Sequence, residues 1–187
     1  MLVGSDDIPK MLQKALVIVE DRDFYQHHGV APTSIIRALF ANIVAGRTVQ
    51  GGSTLTQQLA KNFFLTRERS YTSKAKVAVM AVVIDARSHK DEIINAYIND
   101  VFLGQNGAVA VHGFGLASHF YFDKPLAELN VPEIATLIGL VKGPSYYSPS
   151  KYPSRALERR NVVLRLLFEA NEIDTSDYTT FVKMPLN

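Results

Sequence analysis

Apolar side chains recur every three or four residues along most of this chain, in segments separated by short stretches rich in glycine, proline or polar residues. This spacing puts apolar groups on one face of an α-helix, whereas a half-buried strand would alternate them every second residue. The clearest case runs from Arg155 to Ala170, where apolar and charged residues take opposite sides. The chain is therefore predicted to be all-α, with irregular loops that carry its polar motifs.

Further helices are predicted from the same periodicity and from start and stop residues such as Pro32, Gly46 and Pro132. In chain order they cover residues 9–20, 32–45, 54–62, 72–87, 90–100, 113–121 and 132–141. In 77–84 the β-branched residues leave a strand open as the alternative. Residues 104–107 and 144–153 are predicted loops, because glycine, proline and polar residues dominate them.

The stretch 35–45 has two interpretations, because apolar residues cover most of its helical circumference. Arg37 and Asn42 are its only strongly polar positions. A helix that is apolar all round must be buried, in this case either in the protein core or in a bilayer surface. About 12 residues are too few to span a membrane, and no longer apolar run exists in the chain. The sequence favours the core.

Composition narrows the class of protein. At 187 residues, 47% hydrophobic and 20% charged, the chain is predicted to be one folded domain over 1–187. A net charge of +2 makes nucleic acid an unexpected partner, and the arginines of 155–165 are interpreted as a solvated helix face. The absence of cysteine excludes disulfides and thiolate metal sites.

Residues 20–29, EDRDFYQHHG, put a carboxylate at the rim of an apolar segment. Desolvation raises a carboxyl pKa, which suits general acid–base chemistry. For a glutamate taken alone, a surface position at a helix end is the commoner explanation. Taken by itself, the segment leaves both interpretations of Glu20 open, as a proton acceptor or as a surface residue.

Residues 51–62, GGSTLTQQLAKN, combine glycines, hydroxyls, two amides and a lysine. Glycines let a ligand approach the backbone, and hydroxyls and amides hydrogen-bond sugars and phosphates. A helix starting near Ser53 would offer free N–H groups to an anion, and Lys61 could stabilise a diphosphate leaving group. The alternative is a capped helix with an exposed lysine. Together with Glu20, the segment predicts a site for phosphate-carrying sugars.

These two segments resemble the peptidoglycan glycosyltransferases, the transglycosylase domains of class A penicillin-binding proteins and their monofunctional relatives. The resemblance extends from Ile8 to Ile173. It implies a lysozyme-like helical lobe with a smaller membrane-associated lobe. It also implies that Glu20 is the catalytic base, supported by Asp21, Phe24 and His27. The residues expected on the donor and diphosphate side are Ser53, Thr54, Gln57, Gln58, Lys61, Asn62 and Lys74, with Arg69 added for its charge.

The reaction implied by the resemblance is polymerisation of lipid II into β-1,4 glycan strands, with inversion at the anomeric carbon and release of undecaprenyl diphosphate. The expected partners are lipid II, the growing glycan chain, the membrane surface, moenomycin-type inhibitors and a transpeptidase domain in the full-length protein. The expected location is the outer, periplasmic face of the bacterial inner membrane. A divalent cation, Mg²⁺ or Mn²⁺, could share the charge of the diphosphate, but the sequence shows no metal-ligand cluster.

The third family motif departs from the pattern. Ser73 stands where the family has arginine, and Val77 where it has a second glutamate. Valine can neither ionise nor accept a hydrogen bond, so we expect weakened activity. Asp85 lies eight residues further, about 12 Å along a helix, and is a poor substitute. The chain is a weak enzyme, an inactive variant, or one that takes a carboxylate from elsewhere.

Two competing functions stay open. A muramidase or lytic transglycosylase would cut the same polymer on a related fold, but the lysines and the amide-rich segment favour a diphosphate substrate. A lipid II-binding module would bind without turnover. Lys90 and Tyr97 resemble a fourth motif, whose role looks structural, and Asp123 stands where the family usually has glycine.

Overall fold

The protein is described by a computed structural model that covers residues 2–46, 51–64 and 71–186. Its helices are α1 (Lys10–Glu20), α2 (Pro32–Ala45), α3 (Leu55–Phe64), α4 (Tyr71–Arg87), α5 (Lys90–Asp100), α6 (Phe114–Phe122), α7 (Val131–Val141), α8 (Pro153–Glu169) and α9 (Thr175–Phe181). The prediction of a mostly helical fold is confirmed, and helix replaces the strand alternative in 77–84. Within the described ranges, no helix is both long and apolar enough to cross a membrane.

A β-hairpin corrects the prediction of a loop at 104–107. Strands β1 (Phe102–Asn106) and β2 (Val109–His112) pair antiparallel, with a register irregularity between Phe102 and Gly104. Gly107 has φ +58, the conformation that a two-residue hairpin turn needs. Glycine and asparagine were interpreted as loop signals, although they can equally mark a tight turn between short strands.

Two compact units make up the chain. The first contains Met1–Val19 with Ile98–Asn187, and the second contains Glu20–Tyr97. The prediction of a single domain over 1–187 stays a prediction.

The core of the first unit centres on α7. Every residue from Pro132 to Leu140 is buried, and α8 packs against this helix. Asn130 Oδ1 accepts the N–H of Glu133, and Glu133 Oε2 accepts the N–H of Asn130, both at 2.9 Å. This reciprocal capping satisfies two backbone donors and sets the start of α7.

Arg160, in the middle of α8, joins this helix to the end of α9 and to the segment that follows it. It is 1% exposed and donates to the carbonyls of Phe181, Val182, Met184 and Pro185 at 2.7–3.4 Å. Burial lowers the pKa of Arg160. Backbone carbonyls thus replace the water that a guanidinium loses on burial.

In the second unit, α3 packs against α4. The prediction that residues 35–45 lie in the core is wrong, because only Ala38 of α2 is buried. The exposed apolar side chains of this helix are Ile35, Ile36, Leu39, Phe40, Ile43 and Val44. Periodicity could not find this, because a helix apolar all round has no polar face to show which side meets solvent.

The departure at Asp123 has a consequence for stability. Asp123 ends α6 in the left-handed conformation, with φ 54, where a Cβ is strained and glycine is not. We expect Asp123→Gly to raise the free energy of unfolding by up to about 1 kcal/mol, measured by thermal or denaturant unfolding. Asp123→Ala removes the same carboxylate but keeps the Cβ, and should give no gain. Equal stabilities of the two variants would contradict the role of backbone strain.

Candidate active site

Glu20 is the last residue of α1 and is half-buried. The Gln58 amide, in the second turn of α3, donates from Nε2 to Glu20 Oε2 at 3.3 Å. Tyr97, on α5, donates its hydroxyl proton to Gln58 Oε1 at 2.8 Å. The two predicted motifs therefore meet at the Glu20 carboxylate, and a third element, α5, supports the amide between them.

Asp21 joins the same two motifs through its carboxylate. Its Oδ2 accepts the backbone N–H of Leu55 and lies close to His27 Nε2, each at 2.9 Å. Asp21 is 5% exposed and His27 9%. A carboxylate at the first turn of a helix is also favoured by the helix dipole. The first motif was expected to support Glu20, and the contacts of Asp21 give it the role of holding α3 against that motif.

The start of α3 is capped from within the protein. Thr54 Oγ1 accepts the N–H of Gln57 at 3.0 Å, and Gln57 Oε1 accepts the N–H of Thr54 at 2.9 Å. Thr54 also donates its hydroxyl proton to the carbonyl of Gly29 at 2.6 Å. The expectation of free N–H groups for an anion is corrected here, since those of Leu55 and Gln57 already have protein acceptors.

The turn that follows Glu20 is fixed by glycine and by a buried ion pair. Gly29 has φ +80, and a Cβ there would overlap the carbonyl oxygen of Ala81 on α4. Lys90 donates to the carbonyl of His27 at 2.7 Å and to Asp85 Oδ1 at 2.5 Å. The Asp85 side chain is only 4% exposed. Asp85 therefore holds Lys90 against this turn. This agrees with the prediction that Asp85 is a poor substitute for the missing glutamate.

Phe24 is the apolar centre of the turn. It is fully buried, meets the rings of Tyr25 and His27 edge-on with centroids 5.1 and 6.1 Å away, and lies 4.8 Å from Lys90 Nζ. Burial, assisted by the charge of Asp91, raises the pKa of Tyr25.

The residues predicted on the donor and diphosphate side differ in their exposure. Ser53, Lys61, Asn62 and Lys74 are exposed, whereas Thr54 is buried and Gln57 and Gln58 are half-buried. Lys61 follows Gln58 by three residues on α3, so the two share a helix face. Arg69 lies outside the described residues.

The positions of the third motif lie on α4. Ser73 is buried and Val77 is half-buried. Among the residues that the structure describes, no group of three or more histidine, aspartate or glutamate side chains could hold a metal ion. A divalent cation at the diphosphate stays a prediction.

Sequence reasoning missed the contact of Tyr97 with the site. The sequence predicts a structural role for the fourth motif, and a tyrosine among the apolar residues of an amphipathic helix gives no sign of where its hydroxyl points. The role of Lys90 as a support for the first motif was missed for the same reason, since its partners lie on other elements.

Comparison with known proteins identifies the family. The family model described as Transglycosylase matches residues 1–168. Penicillin-binding protein 1B of Vibrio cholerae is 54% identical over 187 residues, which is 100% of this chain and 24% of that protein. Penicillin-binding protein 1B of Escherichia coli K12 is 50% identical over 186 residues, covering 100% and 22%. Penicillin-binding protein 1A of Aquifex aeolicus is 45% identical over 184 residues, covering 98% and 25%.

A solved structure shares the fold. Penicillin-binding protein 1A from Haemophilus influenzae aligns with a TM-score of 0.59 at 24% identity, over 100% of this chain and 18% of that chain. The chain spans about a quarter of the length of the curated relatives named above.

The chain belongs to the transglycosylase family, and is a domain of the peptidoglycan glycosyltransferase class. Within the family, the strings 45–52 and 157–167 look most like penicillin-binding protein 1b, and this prediction is confirmed by relatives of that name at 50–54% identity.

The contacts of Asp21 predict a stability effect. Asp21→Ala leaves the Leu55 N–H and His27 without their acceptor, so the free energy of unfolding should fall by about 2–3 kcal/mol. Hydrogen exchange at Leu55 should also become faster. The matched control is Asp23→Ala, which removes a partly exposed carboxylate 3.3 Å from Arg37 and should cost less than about 1 kcal/mol. Equal losses in both variants would mean that Asp21 does not hold α3.

Proposed function

We propose that this domain polymerises lipid II, with Glu20 as the general base. The observation that carries the proposal is the contact between Glu20 and Gln58, which joins the two family motifs at one carboxylate. Lys61 lies one helical turn beyond Gln58 on the same face of α3. A proton acceptor and a cation at this spacing suit attack at a carbon whose leaving group is a diphosphate.

The chemical step transfers one proton and one glycosyl group. Glu20 takes the proton of the acceptor 4-hydroxyl as that oxygen attacks the anomeric carbon of the donor. The bond from the anomeric carbon to the diphosphate oxygen breaks with inversion, and undecaprenyl diphosphate leaves with the electron pair. The charge of the leaving group is met by Lys61 and Lys74, with Arg69 as a further candidate. Ser53, Gln57 and Asn62 are assigned to the donor side.

The absence of the second glutamate sets the expected level of activity. Val77 gives no carboxylate to assist departure of the diphosphate, and Ser73 gives no arginine. Among the described residues no cluster of side chains is suited to hold Mg²⁺ or Mn²⁺, and no step is assigned to a metal ion. The domain is therefore a slow glycosyltransferase, with a lipid II-binding module as the second candidate, favoured specifically by Val77. Moenomycin-type inhibitors are assigned to the donor side under either function.

The exposed apolar helix α2 supports a membrane surface as a partner. Phe40 and Ile43 are each 69% exposed and Val44 is 72% exposed. A contiguous apolar surface of this kind marks an interaction site, and a substrate with a polyprenyl tail is itself held in a bilayer. We assign the domain to the outer face of the bacterial inner membrane, within a longer protein that carries a transpeptidase domain.

Polymerisation of lipid II in detergent tests the function, with glycan products separated by length. We expect slow polymerisation, loss of about 10²–10⁴-fold in Glu20→Gln because the base is gone, and a gain of about 10-fold or more in Val77→Glu. Val77→Gln is the matched control, since it has the shape of glutamate without the charge and should give no gain.

Each other outcome selects a different function. If the unchanged protein and Val77→Glu both bind moenomycin but form no glycan polymer, the proposal is contradicted and the lipid II-binding module is supported. Shortening of preformed glycan strands would support the muramidase or lytic alternative instead.

Binding to vesicles of anionic phospholipid tests the membrane surface. Phe40→Ser combined with Ile43→Ser removes two large exposed side chains, each worth about 1.5–3 kcal/mol when buried. We expect at least a 10-fold loss of binding in cosedimentation. Val109→Ser removes a side chain that is 65% exposed on β2 and should bind as the unchanged chain does. Unchanged binding of the double variant would exclude α2 as the contact.

A further inference from the structure

The hydroxyl of Tyr97 is part of a chain of hydrogen bonds that ends at Glu20. Tyr97 is 1% exposed and donates to Gln58 Oε1 at 2.8 Å, while Gln58 Nε2 donates to Glu20 Oε2 at 3.3 Å. All three residues belong to the compact unit Glu20–Tyr97. This series of hydrogen bonds runs from α5 through α3 to the end of α1, so it links groups that are far apart in sequence.

The Gln58 amide has two orientations, which exchange its oxygen and its nitrogen. With the nitrogen toward Glu20, the amide donates to an ionised carboxylate. In the reverse orientation, the amide oxygen would face the carboxylate oxygen and be repelled by it. A phenolic donor directed at Oε1 stabilises the first orientation and polarises the amide further. The hydroxyl of Tyr97 therefore favours the ionised carboxylate that a general base requires.

Packing does not require this hydroxyl. The ring of Tyr97 fills a buried position on α5, and phenylalanine would fill the same volume. The tyrosine adds a buried polar group, and its hydrogen bond to the Gln58 amide offsets the cost of burying it. The hydroxyl that distinguishes tyrosine from phenylalanine at this position therefore acts mainly on the Gln58 amide and, through it, on the Glu20 carboxylate.

We propose that Tyr97 is a positioning residue, which acts through Gln58 to hold the Glu20 carboxylate ionised and oriented toward the acceptor hydroxyl. The inference deepens the proposed function and rests on it, because Glu20 is taken as the base. The hydrogen-bonded link itself does not depend on turnover, so it can be measured separately.

The direct measurement is a titration of the Glu20 carboxyl carbon by NMR, in the protein labelled with ¹³C-glutamate and with Glu20→Gln to identify the signal. In Tyr97→Phe the midpoint should move to higher pH by roughly half a unit, because the ionised form loses support. Tyr121→Phe is the matched control: it also removes a tyrosine hydroxyl, which donates to the carbonyl of Leu103 at 3.0 Å in the other unit. Its midpoint should stay unchanged.

The second measurement is the kinetics of lipid II polymerisation, with Tyr97→Phe introduced into the unchanged sequence and into the Val77→Glu variant. Tyr97→Phe should lower kcat about 10-fold and change KM for lipid II less than about 2-fold, since the loss concerns the reacting geometry. The acidic limb of the pH–rate profile should move in the same direction as the NMR midpoint.

A double-mutant cycle tests whether Tyr97 acts through Gln58. Gln58→Met removes both hydrogen bonds, so adding Tyr97→Phe should change neither the midpoint nor kcat further. Independent effects of the two changes would overturn the inference. An unchanged midpoint in folded Tyr97→Phe would overturn it as well, whatever the turnover. If Tyr97→Phe does not fold, an unchanged midpoint in Gln58→Met has the same meaning. A shifted midpoint without polymer in any variant would instead reject the proposed function and retain the link.

Discussion

The hydrogen bonds of the Asp21 carboxylate are the interaction on which the site depends. One oxygen accepts the first free N–H of α3 and meets the ring of His27, all in buried surroundings. A buried carboxylate without such donors would be costly, so the carboxylate and the helix start stabilise each other. Glu20 is the residue before Asp21, and Gln58 is one turn into α3. Fixing Asp21 on Leu55 therefore also fixes the distance between the candidate base and its amide neighbour.

The site divides its charged groups between two environments. Asp21, Asp85 and Lys90 are largely buried and have partners within the protein, so they maintain the geometry. Lys61 and Lys74 have exposed side chains, so their charges stay largely hydrated. An exposed charge costs the fold far less than an unpaired buried one, so the role proposed for these lysines at a diphosphate carries little cost in stability.

The residue at position 77 bears on the expected chemistry but not on the helix that carries it. Val77 continues α4 without disturbance, because a half-buried helical position accepts valine as well as glutamate. The capping of α3 by Asp21 and Thr54 uses no atom of position 77. The fold and the first carboxylate can therefore persist in a chain that lacks the second. Family membership shows the architecture, and the rate has to be measured.

The local pattern of this sequence determined most of its helices, since apolar periodicity together with Pro32, Gly46 and Pro132 encodes them within a few residues. The motifs of 20–29 and 51–62 likewise identified the family without a structure. Three features were decided only by tertiary structure. The hairpin at 102–112 arises because a turn glycine allows two short strands to pair. The exposure of α2 depends on what packs against it, which periodicity cannot encode. The direction of Asp21, Gln57 and Tyr97 depends on partners from other elements, because a hydrogen bond needs a second group that only the folded chain brings within 3 Å.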